Sequence, residues 1–290
     1  MSARLTDGAR DRLQAPFDRL SADLRARADG RRVLFLQNDG NYGDGLIRAG
    51  TLAFLGAAGF EITELDMSQR LHKIRAGLSA LSSRLARRTL HVYAGSGAWS
   101  SFTSIGRRNV ARLHALGGDF FVLPTTFEAP VDLGTARFAA YVRDQHESAA
   151  AMPGAPFCHD MAFFLALQGL TAILPRRVAA PSGTAIAFRT DNESSGHGLA
   201  TRADNRDFSA EGNHMSDIGH FLAALDAYER IVTDRLHVAI AGIVLGKDVD
   251  LVPGGYFKIA AIYRSSIAGN FEGVRLVEDV ATLENLIPAA

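Results

Sequence analysis

The sequence holds a single cysteine, Cys158, in 290 residues. One thiol excludes an internal disulfide and a cysteine-built zinc cluster, which leaves Cys158 to be read as a small buried hydrophobe. Neither sign of charge is in surplus, with 31 Lys and Arg against 31 Asp and Glu. That balance announces neither nucleic acid nor an anionic membrane as a partner, so an anionic ligand must be held by particular arginines and backbone amides. Long apolar runs are missing too. The longest, Val238 to Gly246, falls far short of the roughly 20 residues of a membrane helix and reads as a buried one. Met1 to Leu20 carries charge throughout and lacks the apolar core of an export signal. The histidines show no HExxH or comparable ligand spacing, so neither a metal nor a resident cofactor is expected. These absences point to a soluble protein of a reducing compartment, the cytoplasm.

What is present is ordinary globular composition, 47% hydrophobic and 21% charged, in a chain long enough for two α/β units. Leu13, Phe17, Leu20 and Leu24 recur at helical spacing. RVLFLQ (Arg32 to Gln37) is a short run of β-formers that ends in the turn NDGNYGDG. A helix follows, with Ile47, Phe54, Leu55 and Ala58 on one side and Gly59 as its stop. The pattern repeats through LHVYAG (Leu90 to Gly95), a helix around Arg107 to Leu116, FFVLP (Phe120 to Pro124) and ARFAAYVR (Ala136 to Arg143). PRRVAAPSG (Pro175 to Gly183) is the linker candidate. Beyond it come TAIAFR, a helix from Ser216 to Tyr228, the strand RIVTD, the helix LHVAIAGIVLG and the strand VDLVP. Strand alternating with helix predicts an α/β fold in two halves. Ligands in such sheets bind beyond the carboxyl ends of the strands, and a cleft between the halves is the natural place for chemistry.

The candidate residues follow from that rule. Asn41, Gly43 and Asp44 sit between a strand and a helix, where backbone amides favour anions. Asp44 reads either as the helix N-cap or as a general base toward a sugar hydroxyl. Gly95, Ser96 and Gly97 form a second loop of this type, and Trp99 is either a sugar platform or a core or lid residue. Arg189, at the end of TAIAFR, suits bidentate capture of a carboxylate or phosphate; the other reading is an ion pair with Asp191 or Glu193. Arg235 and His237 open an apolar helix after RIVTD, with Thr233 or Asp234 as its cap, and an imidazole there suits proton transfer near neutral pH. Tyr256 and Lys258 follow the last strand, where the lysine either reaches a phosphate or is solvated. The basic segment His72 to Arg88 reads as a solvated helix or as an edge that meets a lipid-linked sugar at a membrane surface.

Taken in order, NYGDGLIR, AGSGAWS, FFVLPTTF, VRDQHES, CHDMAF, FRTDNES, TDRLHVAIAGIVLG and GGYFKIAAIYRSS resemble the polysaccharide pyruvyl transferase family from about Gln37 to Ser266. The resemblance implies two Rossmann-like domains facing a cleft, as in GT-B glycosyltransferases, with residues 1–175 on the acceptor side and 176–290 on the phosphoenolpyruvate side. It implies transfer of pyruvate from phosphoenolpyruvate, a substrate rather than a cofactor, to a sugar acceptor as a ketal. His237 is then the general acid and Asp44 the base. Arg235 and Arg189 hold phosphate and carboxylate, assisted by amides near Gly43 and Gly95 to Gly97. Two other classes stay open: a glycosyltransferase using a nucleotide sugar, and a sugar- or phosphate-binding relative without turnover.

Overall fold

The computed structural model describes residues 3–97, 99–101, 104–170, 173–174, 180–191, 194, 198–279 and 287. The chain forms two compact units, each discontinuous in sequence. One comprises Leu13–Asp39 and Gly50–Phe164; the other comprises Met1–Arg12, Gly40–Ala49 and Leu165–Ala290. The units do not divide at a single point in the sequence, because segments are exchanged between them at Arg12, Gly40 and Ala49. Most of the linker candidate, residues 175–179, lies outside the described residues, as do Asn192, Glu193 and His197.

The first sheet contains β1 (Arg32–Gln37), β2 (Ile62–Asp66), β3 (Thr89–Tyr93), β4 (Phe120–Thr125) and β5 (Phe138–Val142). Its order is β2-β1-β3-β4-β5, and every pairing is parallel. Parallel strands carry helices on their faces, so β3 and β4 are buried along their whole length. The order reverses between β1 and β3, the kind of switch point beyond which open α/β sheets generally bind their ligands. Pro124 has no N–H to give a ladder; it lies where the β4–β5 register shifts, between Val122 and Thr125. The helices of this stretch are α1 (Ala9–Ala28), α2 (Tyr42–Ala57), α3 (Arg70–Ser82), α4 (Ile105–Ala115), α5 (Glu147–Ala151) and α6 (Phe164–Gln168). Leu13, Phe17, Leu20 and Leu24 of α1 are all buried, as their spacing requires.

The second sheet, β6 (Thr184–Ala187), β7 (Arg230–Thr233), β8 (Asp248–Leu251) and β9 (Val274–Leu276), is parallel in sequence order. Its helices are α7 (Ile218–Asp226), α8 (Leu236–Val244) and α9 (Lys258–Ile262). A Cβ on Gly242 of α8 would stand 2.8 Å from Ile231 and 2.9 Å from Val249, so glycine lets α8 lie close on β7 and β8. Two parallel sheets with helices are the α/β architecture that the alternation predicts. Among the described residues no helix is long and apolar enough to cross a membrane.

Candidate active site

The start of α2 is built by the turn that precedes it. The Asn41 side-chain oxygen accepts the Gly43 N–H at 2.8 Å, and Asp44 Oδ2 accepts the Asn41 N–H at 3.2 Å. This reciprocal pair is a capping box with Asn41 at the N-cap and Asp44 at the third helical position. The N-cap reading of Asp44 is therefore corrected in position: the helix starts at Tyr42, so Asn41 takes the cap, and Asp44, one turn further in, accepts a backbone N–H. The turn is pinned further. Gly40 exchanges hydrogen bonds with His214, whose N–H reaches the Gly40 carbonyl at 3.1 Å while Nδ1 accepts the Gly40 N–H at 3.3 Å. Tyr42 stacks on Phe221 with ring centroids 5.2 Å apart.

His237 meets this turn. It stands at the second helical position of α8, half-buried, and a Cβ on Gly43 would lie 2.7 Å from its Nδ1 and 3.0 Å from its Cβ. Only glycine at position 43 leaves that room. One unit thus brings Asn41, Gly43, Asp44 and His237 together.

Arg235 and Arg189 lie in the same unit, at the carboxyl ends of β7 and β6. Arg189 donates to Asp191 through Nε at 2.7 Å and Nη2 at 3.0 Å. Arg235 reaches the same Asp191 oxygen at 3.0 Å and forms a bidentate pair with Asp207, with Nε at 2.8 Å. Asp191 is half-exposed, whereas Asp207 and both arginines are nearly covered. Beneath them Asp234 accepts the Arg189 backbone N–H at 2.8 Å. Burial raises its pKa to about 6, against the pull of that N–H and of both guanidinium charges. The expected cap of α8 is also corrected. Arg235 itself occupies the N-cap; Asp234 is turned to Arg189, and Thr233 Oγ1 accepts the Arg235 N–H while donating to Ala187. Local propensity favours threonine or aspartate there, but the strand-end contacts claim both side chains.

Tyr256 and Lys258 complete this unit's candidates, with Lys258 Nζ 4.9 Å from the centroid of the half-buried Tyr256 ring. Gly95, Ser96 and Gly97 belong to the other unit, at the end of β3. A Cβ on Gly95 would lie 2.2 Å from the Pro124 carbonyl oxygen, so that glycine is required by close packing. Asn38, after β1, donates to Ser96 Oγ at 2.9 Å and to the Ala94 carbonyl at 3.2 Å, tying the two switch-point loops together. Trp99 is buried edge-on against Phe127, which sets aside the sugar-platform reading. The VRDQHES and CHDMAF segments meet as a fully buried ion pair, Arg143 Nη1 to Asp160 Oδ2 at 2.6 Å, with Nε on Thr126.

The family model described as polysaccharide pyruvyl transferase matches residues 41–249, most of the chain and nearly all of these groups. The chain belongs to that family. Membership makes it a relative of transferases that act on polysaccharides. A solved structure of an uncharacterized protein, KP1_0663 of Klebsiella pneumoniae, is similar in fold. The TM-score is 0.70 at 20% identity, covering 91% of this chain and 99% of that one. No curated protein matches the chain significantly. Within this family member, sequence reading passed over Asp207 and His214. His214 was weighed only as a metal ligand, and Asp207 carries no local signal because its partner Arg235 is distant in the chain.

Proposed function

We propose that this family member transfers pyruvate from phosphoenolpyruvate to two hydroxyls of a sugar in a polysaccharide precursor, forming a ketal. The observation that carries the reading is His237 in the first turn of α8, set against Gly43 and next to Arg235. An imidazole is the side chain suited to proton transfer near neutral pH, and a helix start favours an anion beside it. In the proposed step His237 protonates the methylene carbon of the donor and Asp44 takes the proton of the first sugar hydroxyl. That hydroxyl bonds to the adjacent carbon, the carbon–oxygen bond to phosphate breaks, and the second hydroxyl closes the ring. The two hydroxyl protons end on the new methyl group and on the departing phosphate. Arg235 and Arg189 would hold the donor's phosphate and carboxylate, with Lys258, Tyr256 and the amides near Gly43 and Gly95 to Gly97 assisting. Donor binding then has to share or exchange the bonds that Asp191 makes to both guanidinium groups. The finer architecture that accompanies this reading is a GT-B-like pair of domains facing a cleft, in the cytoplasm, divided into acceptor and donor sides near residue 175.

Thermal stabilisation by phosphoenolpyruvate tests the donor assignment. Ligand at a hundred times its Kd stabilises by about 2.7 kcal/mol, which is a shift of several degrees. The shift is expected to vanish in Arg235→Ala and to be weakened in Arg235→Lys, which keeps a charge opposite Asp207. No shift with phosphoenolpyruvate and a clear one with a nucleotide sugar would replace the reaction with glycosyl transfer.

A further inference from the structure

The neutral charge balance of the whole chain hides a segregated one. Between Met67 and Gly118 every charged residue is Lys or Arg, and the acids that bound the stretch are buried. Asp66 accepts hydrogen bonds from the Ser68 N–H and the Gln69 side chain, and Asp119 is held by Arg27 and Arg31. Helix α3 lies in this stretch and has its faces reversed. Its buried residues are the small Ala76 and Ala80. Its large apolar residues face outward: Leu71 is 77% exposed, Ile74 50%, Leu78 63% and Leu81 47%, and Leu85 just beyond the helix is 94% exposed. At 3.6 residues per turn the four helical ones share an arc of roughly 80°. Arg70, Lys73 and Arg75 are exposed beside them. Between α3 and α4 runs a groove of about 350 Å³ with Met67, Ile74 and Leu113 among its lining and Arg70, Lys73 and Arg112 at its rim.

Leucines held in water without need are a cost, and monomeric proteins rarely line them up. A helix with one apolar face and cations along it is the pattern that lies in the plane of an anionic bilayer. A second copy of this chain fits the same face poorly, because a two-fold contact would set Lys and Arg against themselves. Nucleic acid would use the arginines but not the leucines.

We propose that the outer face of α3, continued by Leu85, docks onto an anionic lipid surface, with the leucines in the acyl boundary and the surrounding Lys and Arg on headgroup phosphates. Peripheral docking of this kind needs no spanning helix. It brings the enzyme to acceptors carried at a membrane, the partner class left open by the basic segment His72 to Arg88.

Vesicle co-sedimentation tests this with neither donor nor acceptor present, so its failure is distinct from failure of the proposed reaction. The full chain is expected to sediment with vesicles of phosphatidylglycerol and phosphatidylcholine in equal parts, and not with phosphatidylcholine alone. Arg70→Gln with Arg75→Gln is expected to lower the partition roughly 30-fold, at about one surface charge's contribution each. Leu71→Gln with Leu78→Gln is expected to lower it at least about tenfold with an unchanged melting curve, since both side chains are exposed. Equal partition onto both kinds of vesicle overturns the proposal. So does a leucine variant that binds vesicles like the parent but has half the parent's mass in light scattering, which would assign the face to a second copy. Loss of heparin retention in the arginine variant with vesicle binding intact would assign it to a polyanion.

Discussion

Replacing Gly43, Gly50 and Gly56, three of the four glycines of α2, with alanine one at a time should give three different outcomes from one chemical change. A helical Gly→Ala gains about 1 kcal/mol where the new methyl meets nothing. Gly56 is exposed and has no atom within 4 Å of its ideal Cβ, so Gly56→Ala is expected to raise Tm by roughly 2–4 °C. Gly50 is the opposite case, because its Cβ would stand 2.1 Å from the Met161 carbonyl oxygen and 2.7 Å from the carbonyl carbon. Backbone cannot turn aside as a side chain does, and the overlap costs about 3 kcal/mol or more, a fall in Tm of roughly 6 °C or more. Gly43 lies between. Its Cβ would press on the His237 ring at 2.7 Å and on the Asn41 oxygen at 3.0 Å. An off-rotamer histidine costs about 1 kcal/mol and a weakened cap about as much again, which outweighs the helical gain. Gly43→Ala is therefore expected to lose about 1 kcal/mol while turnover, followed by phosphate release, drops at least about tenfold as His237 is displaced. Thermal melts rank the stabilities and the phosphate assay isolates Gly43. Gly50→Ala as stable as the parent, or Gly43→Ala with full turnover, would refute the packing described for this helix.

Two further outcomes are expected. His237→Gln should lower turnover at least about a hundredfold with Tm nearly unchanged, because a half-buried polar ring is replaced by a polar side chain of similar reach. A folded variant with parental turnover would remove His237 from the chemistry. The pH dependence of stability should have opposite signs at two buried groups. His91, packed on Phe120 with its ring nitrogens facing the Asp119 carbonyl and Ser79, has its pKa lowered to about 4 by burial. Its contribution is present above about pH 6.5 and is lost as pH falls toward 4. Asp234, raised to about 6, contributes below about pH 4 and loses its contribution as pH rises through 6. Each is worth up to about 3 kcal/mol over its window. Urea melts at pH 4 and pH 7 should show the parent gaining on His91→Asn toward neutral pH and on Asp234→Asn toward acid. Parallel behaviour of the two variants would contradict both assignments.

The elements legible in the sequence are those whose signal is local. β1, β7 and α8 are short apolar runs between turn residues, and their bounds nearly coincide with the observed ones. Gly59 was legible as a helix stop because it takes φ 73° there, closing α2 with the Phe60 N–H on Leu55. β2 was missed because Glu61, Glu64 and Asp66 interrupt its alternation, and β9 because Val-Arg-Leu is too short to carry a period. The candidate site was legible as far as chain neighbours go: Arg235 beside His237, and Asn41 beside Asp44. The Arg189–Asp191 ion pair was legible in the same way, as the second reading of an arginine two residues from an aspartate. The contact of Gly43 with His237, and the hold of Asp191 and Asp207 on Arg235, come from residues far apart in sequence. No spacing rule sees them.

The exchange of Gly40–Ala49 into the unit that holds the C-terminal residues also bears on how this chain is made. The residues of the Leu13–Phe164 unit have all been synthesised once Phe164 leaves the ribosome. The turn carrying Asn41 and Asp44 emerges early but has to wait for His214, whose bond to Gly40 closes across 174 residues, and then for His237. During that interval the first turn of α2 lacks its tertiary partners. For the same reason a fragment beginning after residue 175 keeps Arg189, Arg235 and His237 but never acquires the segment packed against His237.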